Sequence, residues 1–119
     1  MDDRYDLLSL IEKHKDKPGI DINKLKPGTK VVIRTVYSVY EFKVSHTPGF
    51  VYAKGGKHLP YKQLVHFNGC TFGGSAIKPG WIGQDMHMEI MVSKKRRLTT
   101  SAVQKASVHG DGWTYDLWD

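Results

Sequence analysis

The side chains of this chain that could serve a reaction are its histidines, its single cysteine and a few carboxylates. His66 and Cys70 stand four residues apart, which on one extended strand separates them by about 13 Å along the backbone. An imidazole must lie within hydrogen-bond reach of a thiol to activate it, so only a turn at Asn68-Gly69 would bring the two together. The spacing therefore gives little support for a cysteine nucleophile.

His87 and Glu89 lie two positions apart, so on a strand both side chains share one face and could supply two metal ligands. A third ligand would have to come from a distant histidine: His58, His66 or His109. The chain has neither C-x-x-C nor H-E-x-x-H spacing, and no two carboxylates are placed as an acid–base couple. We therefore predict no catalytic residue, no metal and no cofactor. A small enzyme or metal-binding protein that uses the histidines and the glycine loop is the least supported alternative.

Glycines are dense between residues 69 and 83. There Gly73, Gly74 and Ser75 form a candidate glycine loop whose backbone N–H groups could cradle a phosphate. The segment lacks the G-x-x-x-x-G-K-[ST] pattern of a P-loop. Glycines in small β domains usually mark bulges, corners and tight turns, so the structural interpretation is favoured.

The charge of the chain is unevenly distributed. Lysine and arginine number 18 against 12 acidic residues, which gives a net charge of +6. Residues 1–12 and 110–119 are each acidic, with a net charge of −3, so the interior, 13–109, carries +12. A basic body of this kind attracts polyanions such as nucleic acid. The alternatives are that the acidic ends neutralise it or that it is an ordinary solvated surface.

Aromatic side chains alternate with basic ones in the first half of the chain. Tyr40 and Phe42 share a face that we expect to be buried, whereas Tyr37, Tyr52 and Tyr61 are the candidates for exposure. Small β domains bind single strands by stacking bases on such rings within a basic groove. The candidate nucleic-acid-binding residues include an exposed hairpin tip at 94–97 and are Arg34, Lys54, Lys57, Tyr61, Lys62, Lys94, Lys95, Arg96 and Arg97. Lys43 belongs to the same alternating pattern.

These residues must be positioned by strands, because the apolar period changes to two from about residue 25. Strands are predicted at 30–36, 39–45, 50–54, 63–67 and 85–92, and residues 98–108 are predicted to form a last strand or two short ones. The first three are joined by turns too short for a crossover helix, so they must pair antiparallel. Closing five or six antiparallel strands would bury their edges. We therefore predict a mainly β chain that forms a small antiparallel barrel, SH3-like or a similar roll, with a two-sheet sandwich roll as the alternative.

The chain divides into three parts. Residues 2–16 are predicted to form a short helix that ends at Pro18-Gly19. The parts are 1–24, helix and linker; 25–109, the β-barrel domain; and 110–119, an acidic aromatic tail. Trp113 and Trp118 in the tail are too apolar for full exposure. They are expected to pack on the body or, alternatively, to contact a neighbouring subunit or another partner.

The composition also bears on the compartment. At 119 residues the chain has room for one domain. No apolar run approaches the roughly 18–20 residues of a membrane span, and the acidic start does not resemble a signal peptide. A lone cysteine allows no internal disulfide, so we expect a cytoplasmic protein with no membrane partner.

Several short motifs are similar to those of a group of small uncharacterised bacterial proteins. The motifs are Thr35 with Ser38 and Tyr40, Gly55-Gly56, Gly73-Gly74-Ser75, Gly80-Trp81-Ile82-Gly83, Met86 with Met88-Glu89, and Thr99-Thr100-Ser101 with Val103. The resemblance covers about residues 25–108 and departs at Cys70, where serine is expected. It implies one compact β domain and a bacterial source, and it implies no activity.

The sequence therefore favours a non-catalytic binding or interaction module. Nucleic acid, bound through a basic face, is the first ligand class to consider. A homo-oligomeric protein-interaction module is the alternative, with Trp113 and Trp118 at the contact.

Overall fold

The computed structural model describes residues 19–73 and 76–118, and its regular elements are antiparallel strands and one 3-10 turn. The elements are β1 Gly19–Asp21, a 3-10 turn Ile22–Lys24, β2 Lys30–Thr35, β3 Val39–Val44, β4 Phe50–Gly55, β5 Leu59–Thr71, β6 Lys78–Pro79, β7 Trp81–Gly83, β8 His87–Ser93, β9 Arg96–Gly110 and β10 Trp113–Asp116. The prediction of a mainly β, antiparallel chain is confirmed. The predicted helix at 2–16 lies outside the described residues, as do Gly74 and Ser75.

The strands pair in an order that follows the chain. β2, β3, β4 and β5 form a meander, as their short connecting turns require. β5 then pairs with β8, and β8 pairs with the first half of β9. The second half of β9 pairs with β2, so this 15-residue strand pairs with β8 along one half and with β2 along the other. It is one continuous strand, where the sequence left open one strand or two.

The core lies under the alternate residues of these strands. Val31 and Ile33 of β2 are fully buried, and Tyr40 and Phe42 of β3 are buried beside them, as their alternation predicts. Phe42 meets Phe67 of β5 edge to face, with ring centroids 5.4 Å apart. The opposite residues of β2, β3 and β4 are thereby directed outward, which makes the outer face of the meander available for function.

Short segments on both sides of 25–109 also belong to the folded body. β1 pairs with β7, and Ile20 and Ile22 are buried in the core. At the other end β10 pairs with β9, and Trp113, Leu117 and Trp118 pack against the core. The tail therefore packs on its own chain, which is the arrangement that the sequence favours.

The glycines of the segment 69–83 that are described allow close strand approach and tight turns. Gly69 lies in β5 between β6 and β8, next to a register shift, with a φ of +132°. A Cβ at this position would collide with the carbonyl oxygen of Lys78, so glycine is what allows β6 to approach. Gly73 closes a small local turn, in which its N–H donates to Thr71 Oγ1 at 3.0 Å. In the described part of the loop the glycines have the structural role that the sequence favours.

Candidate nucleic-acid interface

The outward residues of the meander form rows across the sheet. In one row Lys30 lies opposite Lys43, Lys43 opposite Tyr52, and Tyr52 opposite Leu64. Directly opposed residues of an antiparallel pair have their side chains on the same face, so these four neighbours share one surface. The row therefore places two lysines beside an exposed aromatic ring.

Two further rows extend this surface. In the second row Glu41 lies opposite Lys54, and Lys62 of β5 lies near both. In the third row Arg34 lies opposite Lys105 of β9. We call the whole surface the basic face and define it as Lys30, Arg34, Glu41, Lys43, Tyr52, Lys54, Lys62 and Lys105. These eight residues are six cations, one carboxylate and one tyrosine. A second carboxylate, Asp116, borders them, in the neighbouring hollow that Arg34 and Lys105 line.

The centre of the basic face is an open groove of about 420 Å³. Its lining residues are Gly28, Lys30, Glu41, Phe42, Lys43, Tyr52, Lys54 and Lys62. Lys30 Nζ lies 2.9 Å from Glu41 Oε1. That hydrogen bond lowers the pKa of Glu41 below its usual 4.5, aided by the charges of Lys54 and Lys62 and opposed by partial desolvation. Glu41 is therefore an anion at neutral pH within a groove of four lysines.

The three tyrosines predicted to be exposed are exposed, but they lie in different places. Tyr37 is 86% exposed, Tyr61 69% and Tyr52 42%. Tyr52 belongs to the basic face, whereas Tyr37 lies in the β2–β3 turn and donates its backbone N–H to Ser101 Oγ at 3.2 Å. Tyr61 alternates with Lys62 along β5 and so points to the other side of that strand. Tyr52 is thus the one of the three that lies among lysines.

The other predicted cations gather at two turns. Lys94 and Lys95 form the turn between β8 and β9, as predicted for a hairpin tip. Arg96 follows them and donates from Nη2 to the carbonyl oxygen of His58 at 3.3 Å, next to Lys57. These cations adjoin the β4–β5 turn. Only the register places Lys30 and Lys105 on the basic face, and the sequence analysis missed both.

The thiol and imidazole of Cys70 and His66 do not form a pair. The His66 ring donates from Nδ1 to Asn68 Oδ1 at 2.5 Å and meets the Phe50 ring edge-on at 5.0 Å. Cys70 is fully buried, and that burial raises the pKa of its thiol to about 12, although a hydrogen bond to the Gly83 backbone acts in the opposite direction. A buried, protonated thiol is inert, so this region has no activated nucleophile.

The side chains of the candidate metal-binding pair, His87 and Glu89, also bond to neighbours within the fold. The His87 ring donates from Nδ1 to the carbonyl oxygen of Thr100 at 2.9 Å. Glu89 accepts a hydrogen bond from Thr99 Oγ1 at 2.7 Å, and its Oε2 lies 3.4 Å from Arg97 Nε. Across residues 19–73 and 76–118, no three His, Cys, Asp or Glu side chains are grouped so that they could hold a metal.

The two tryptophans predicted to contact a partner pack against residues of their own chain. Trp113 and Trp118 are partly buried against the core, and Trp118 donates its indole N–H to the carbonyl oxygen of Gln104 at 2.8 Å. Their role in a contact between subunits stays a prediction.

No family model matches the chain, and no curated protein or solved structure shows significant similarity to it. The resemblance to a bacterial group therefore stays a prediction. No helix in the described ranges has the length and apolar character needed to cross a bilayer. The function has to be inferred from the geometry of the basic face.

Proposed function

We propose that this protein is a non-catalytic module that binds single-stranded nucleic acid through the basic face. The observation that carries the proposal is the concentration of six cations on one face of the sheet. Four of them, all lysines, line a groove together with one carboxylate and an exposed tyrosine. Clustered cations bind the phosphate backbone, and an aromatic ring stacks an unpaired base. Neither interaction requires a catalytic group.

The cations of the basic face are available to phosphates. Among the described residues, Lys30 is the member of the face that forms an ion pair, with Glu41. Lys43, Lys54 and Lys62 reach into the groove without an acidic partner of their own within 4 Å in that part of the chain. Phosphates can therefore bind them without breaking a bond within the protein.

We also infer that the pairing order closes a small barrel. β9 pairs with β8 through its first half and with β2 through its second half, which would join the two ends of the series. Such closure removes the exposed edges of the long strands and would hold the basic face on a rigid surface.

The test is the binding of fluorescent dT12 across a salt series, for the full chain and two variants with the same loss of charge. One variant carries Lys43→Gln and Lys54→Gln on the basic face, and the control carries Lys24→Gln and Lys26→Gln outside it. Each phosphate contact on a single strand contributes about 0.7 to the slope of log K against log salt. The face variant should therefore lose about 1.4 of slope and bind on the order of 10-fold more weakly at 0.1 M salt.

Two results would contradict the proposal. Equal losses in the face variant and the control would mean that net charge, and not the basic face, attracts the oligonucleotide. Absence of binding by the unaltered protein at 25 mM salt would exclude a nucleic-acid role for this face.

A further inference from the structure

We infer that the groove of the basic face binds an unpaired guanine, whose Watson–Crick edge is read by Glu41 while its ring stacks on Tyr52. This inference rests on the proposed function and adds a preference for one base. It starts from Glu41, the one carboxylate among the described residues that line the groove, because a groove that only held phosphates would bind them better without a carboxylate.

The position of Glu41 suits base recognition. Glu41 lies opposite Lys54 and Tyr52 lies opposite Lys43, so Glu41 and Tyr52 are diagonal neighbours on the same face of β3 and β4. Such neighbours are about 7–8 Å apart. A base that stacks on Tyr52 can extend its polar edge over this distance to Glu41, while Lys43 and Lys54 lie beside it for the adjoining phosphates.

The chemistry of the carboxylate selects the base. The Watson–Crick edge of guanine presents two adjacent donors, N1–H and the N2 amino group, and a carboxylate presents two acceptor oxygens side by side. Adenine, cytosine and thymine each present one donor next to at least one acceptor atom, which a carboxylate repels. Guanine is therefore the base with which Glu41 can form two hydrogen bonds.

The surroundings keep Glu41 ready for this role. Lys30 holds Oε1 from one side at 2.9 Å, and each carboxylate oxygen can accept more than one hydrogen bond. Neighbouring lysines lower the pKa of the Glu41 carboxyl, so it carries its charge at neutral pH. In a duplex the Watson–Crick edge is already paired, so this contact also favours a single strand.

The experiment compares dT11 with oligonucleotides that carry one central guanine, inosine, adenine or cytosine in the same dT context. Binding is measured by fluorescence anisotropy at 0.1 M salt for the full chain, for Glu41→Gln, and for Asp111→Asn as a control with the same change of charge outside the basic face. The unaltered protein and the control should bind the guanine oligonucleotide about 10-fold tighter than dT11. Inosine, which lacks the N2 amino group, should fall between them.

Glu41→Gln provides a signature that a merely electrostatic role would not. Its affinity for dT11 should rise, because an anion has been removed from the groove, while its preference for guanine should disappear. Equal binding of all five oligonucleotides by the unaltered protein, or a guanine preference that survives Glu41→Gln, would overturn the inference and leave the proposed function standing. Failure of every oligonucleotide to bind the unaltered protein would overturn the proposed function itself.

Discussion

Two carboxylates, Glu41 and Glu89, illustrate how differently the two sides of this molecule use the same chemistry. Glu89 is 8% exposed, accepts a hydrogen bond from Thr99 and lies beside Arg97, on the side where β8 and β9 pair. Glu41 lies on the basic face in an open groove, where it touches Lys30. Glu89 is buried and bonded to neighbours in the fold, whereas Glu41 is accessible to a ligand in the groove.

The same contrast holds for the regions around them. The side of β5, β8 and β9 carries the residue types of catalysis, but His66, Cys70 and His87 are all bonded to or buried among neighbours. The basic face carries ordinary lysines, but within the described residues Lys43, Lys54 and Lys62 form no ion pair, and Lys30 pairs with Glu41. Residue type alone is therefore a poor guide to function, and the better guide is whether the fold already satisfies the group.

The largest effect should come from the core that supports both sides. Phe67→Ala is expected to lower the free energy of unfolding by about 3–5 kcal/mol, because a fully buried ring is removed. Phe72→Ala is the matched control, since Phe72 is 76% exposed and its loss should cost less than about 0.5 kcal/mol. Urea denaturation measures both. Similar losses in the two variants would break the distinction between interior and surface.

The second-largest effect on stability should come from breaking the ion pair between Glu89 and Arg97. Arg97→Met is expected to cost about 1–3 kcal/mol, because it leaves a buried carboxylate oxygen without its cation. Lys94→Met, in the exposed turn, should change stability by no more than about 0.5 kcal/mol. Adding Glu89→Met to Arg97→Met should restore most of the loss, since neither charge then remains. A double variant as unstable as the single one would show that the charge is not the cause.

Cys70 should make stability fall at alkaline pH. Its pKa is about 12 in the folded protein against 9.0 for the ordinary thiol, so the folded state holds its proton while the unfolded state loses it. The contribution is complete below pH 9 and is lost as the pH rises toward 12. Between pH 8 and pH 10 the protein should lose about 1 kcal/mol more than Cys70→Ala does. Parallel pH profiles of the two proteins in urea denaturation would contradict the buried thiol.

The smallest effect on stability should come from the ion pair between Glu41 and Lys30. Its folded pKa is lowered, so its interaction with Lys30 is present above the ordinary value of 4.5 and is lost as the pH falls through the folded value. An exposed pair of this kind contributes little to stability, so the change is best followed by carboxyl NMR. Lys30→Gln should move the Glu41 titration toward higher pH, and Lys94→Gln should leave it unchanged. A midpoint that does not respond to Lys30→Gln would mean that the groove does not hold the carboxylate.

Much of the fold follows from local patterns in the sequence. Alternation in 30–35 and 39–44 is enough to predict which side of each strand is buried, because a strand has a period of two. The short turn at 36–38 requires β2 and β3 to pair antiparallel. The predicted exposure of Tyr37, Tyr52 and Tyr61 is also confirmed.

The assembly of the basic face could be predicted only in part. Arg34, Lys54 and Lys62 stand out because they alternate with apolar residues. Lys105 lies 71 positions after Arg34 and becomes its neighbour only through the pairing of β2 with β9. A register is set by packing and turn geometry over the whole sheet, so it cannot be read from either strand alone.

The sequence by itself determined the mainly β character, the inward and outward sides of the meander, and the excess of positive charge in the interior of the chain. The tertiary structure decided which of those charges meet, because contacts between distant strands depend on register. It also decided that His66 and Glu89 are hydrogen-bonded to neighbours and that Cys70 is buried. Burial and hydrogen bonding depend on the packed neighbours and not on residue type.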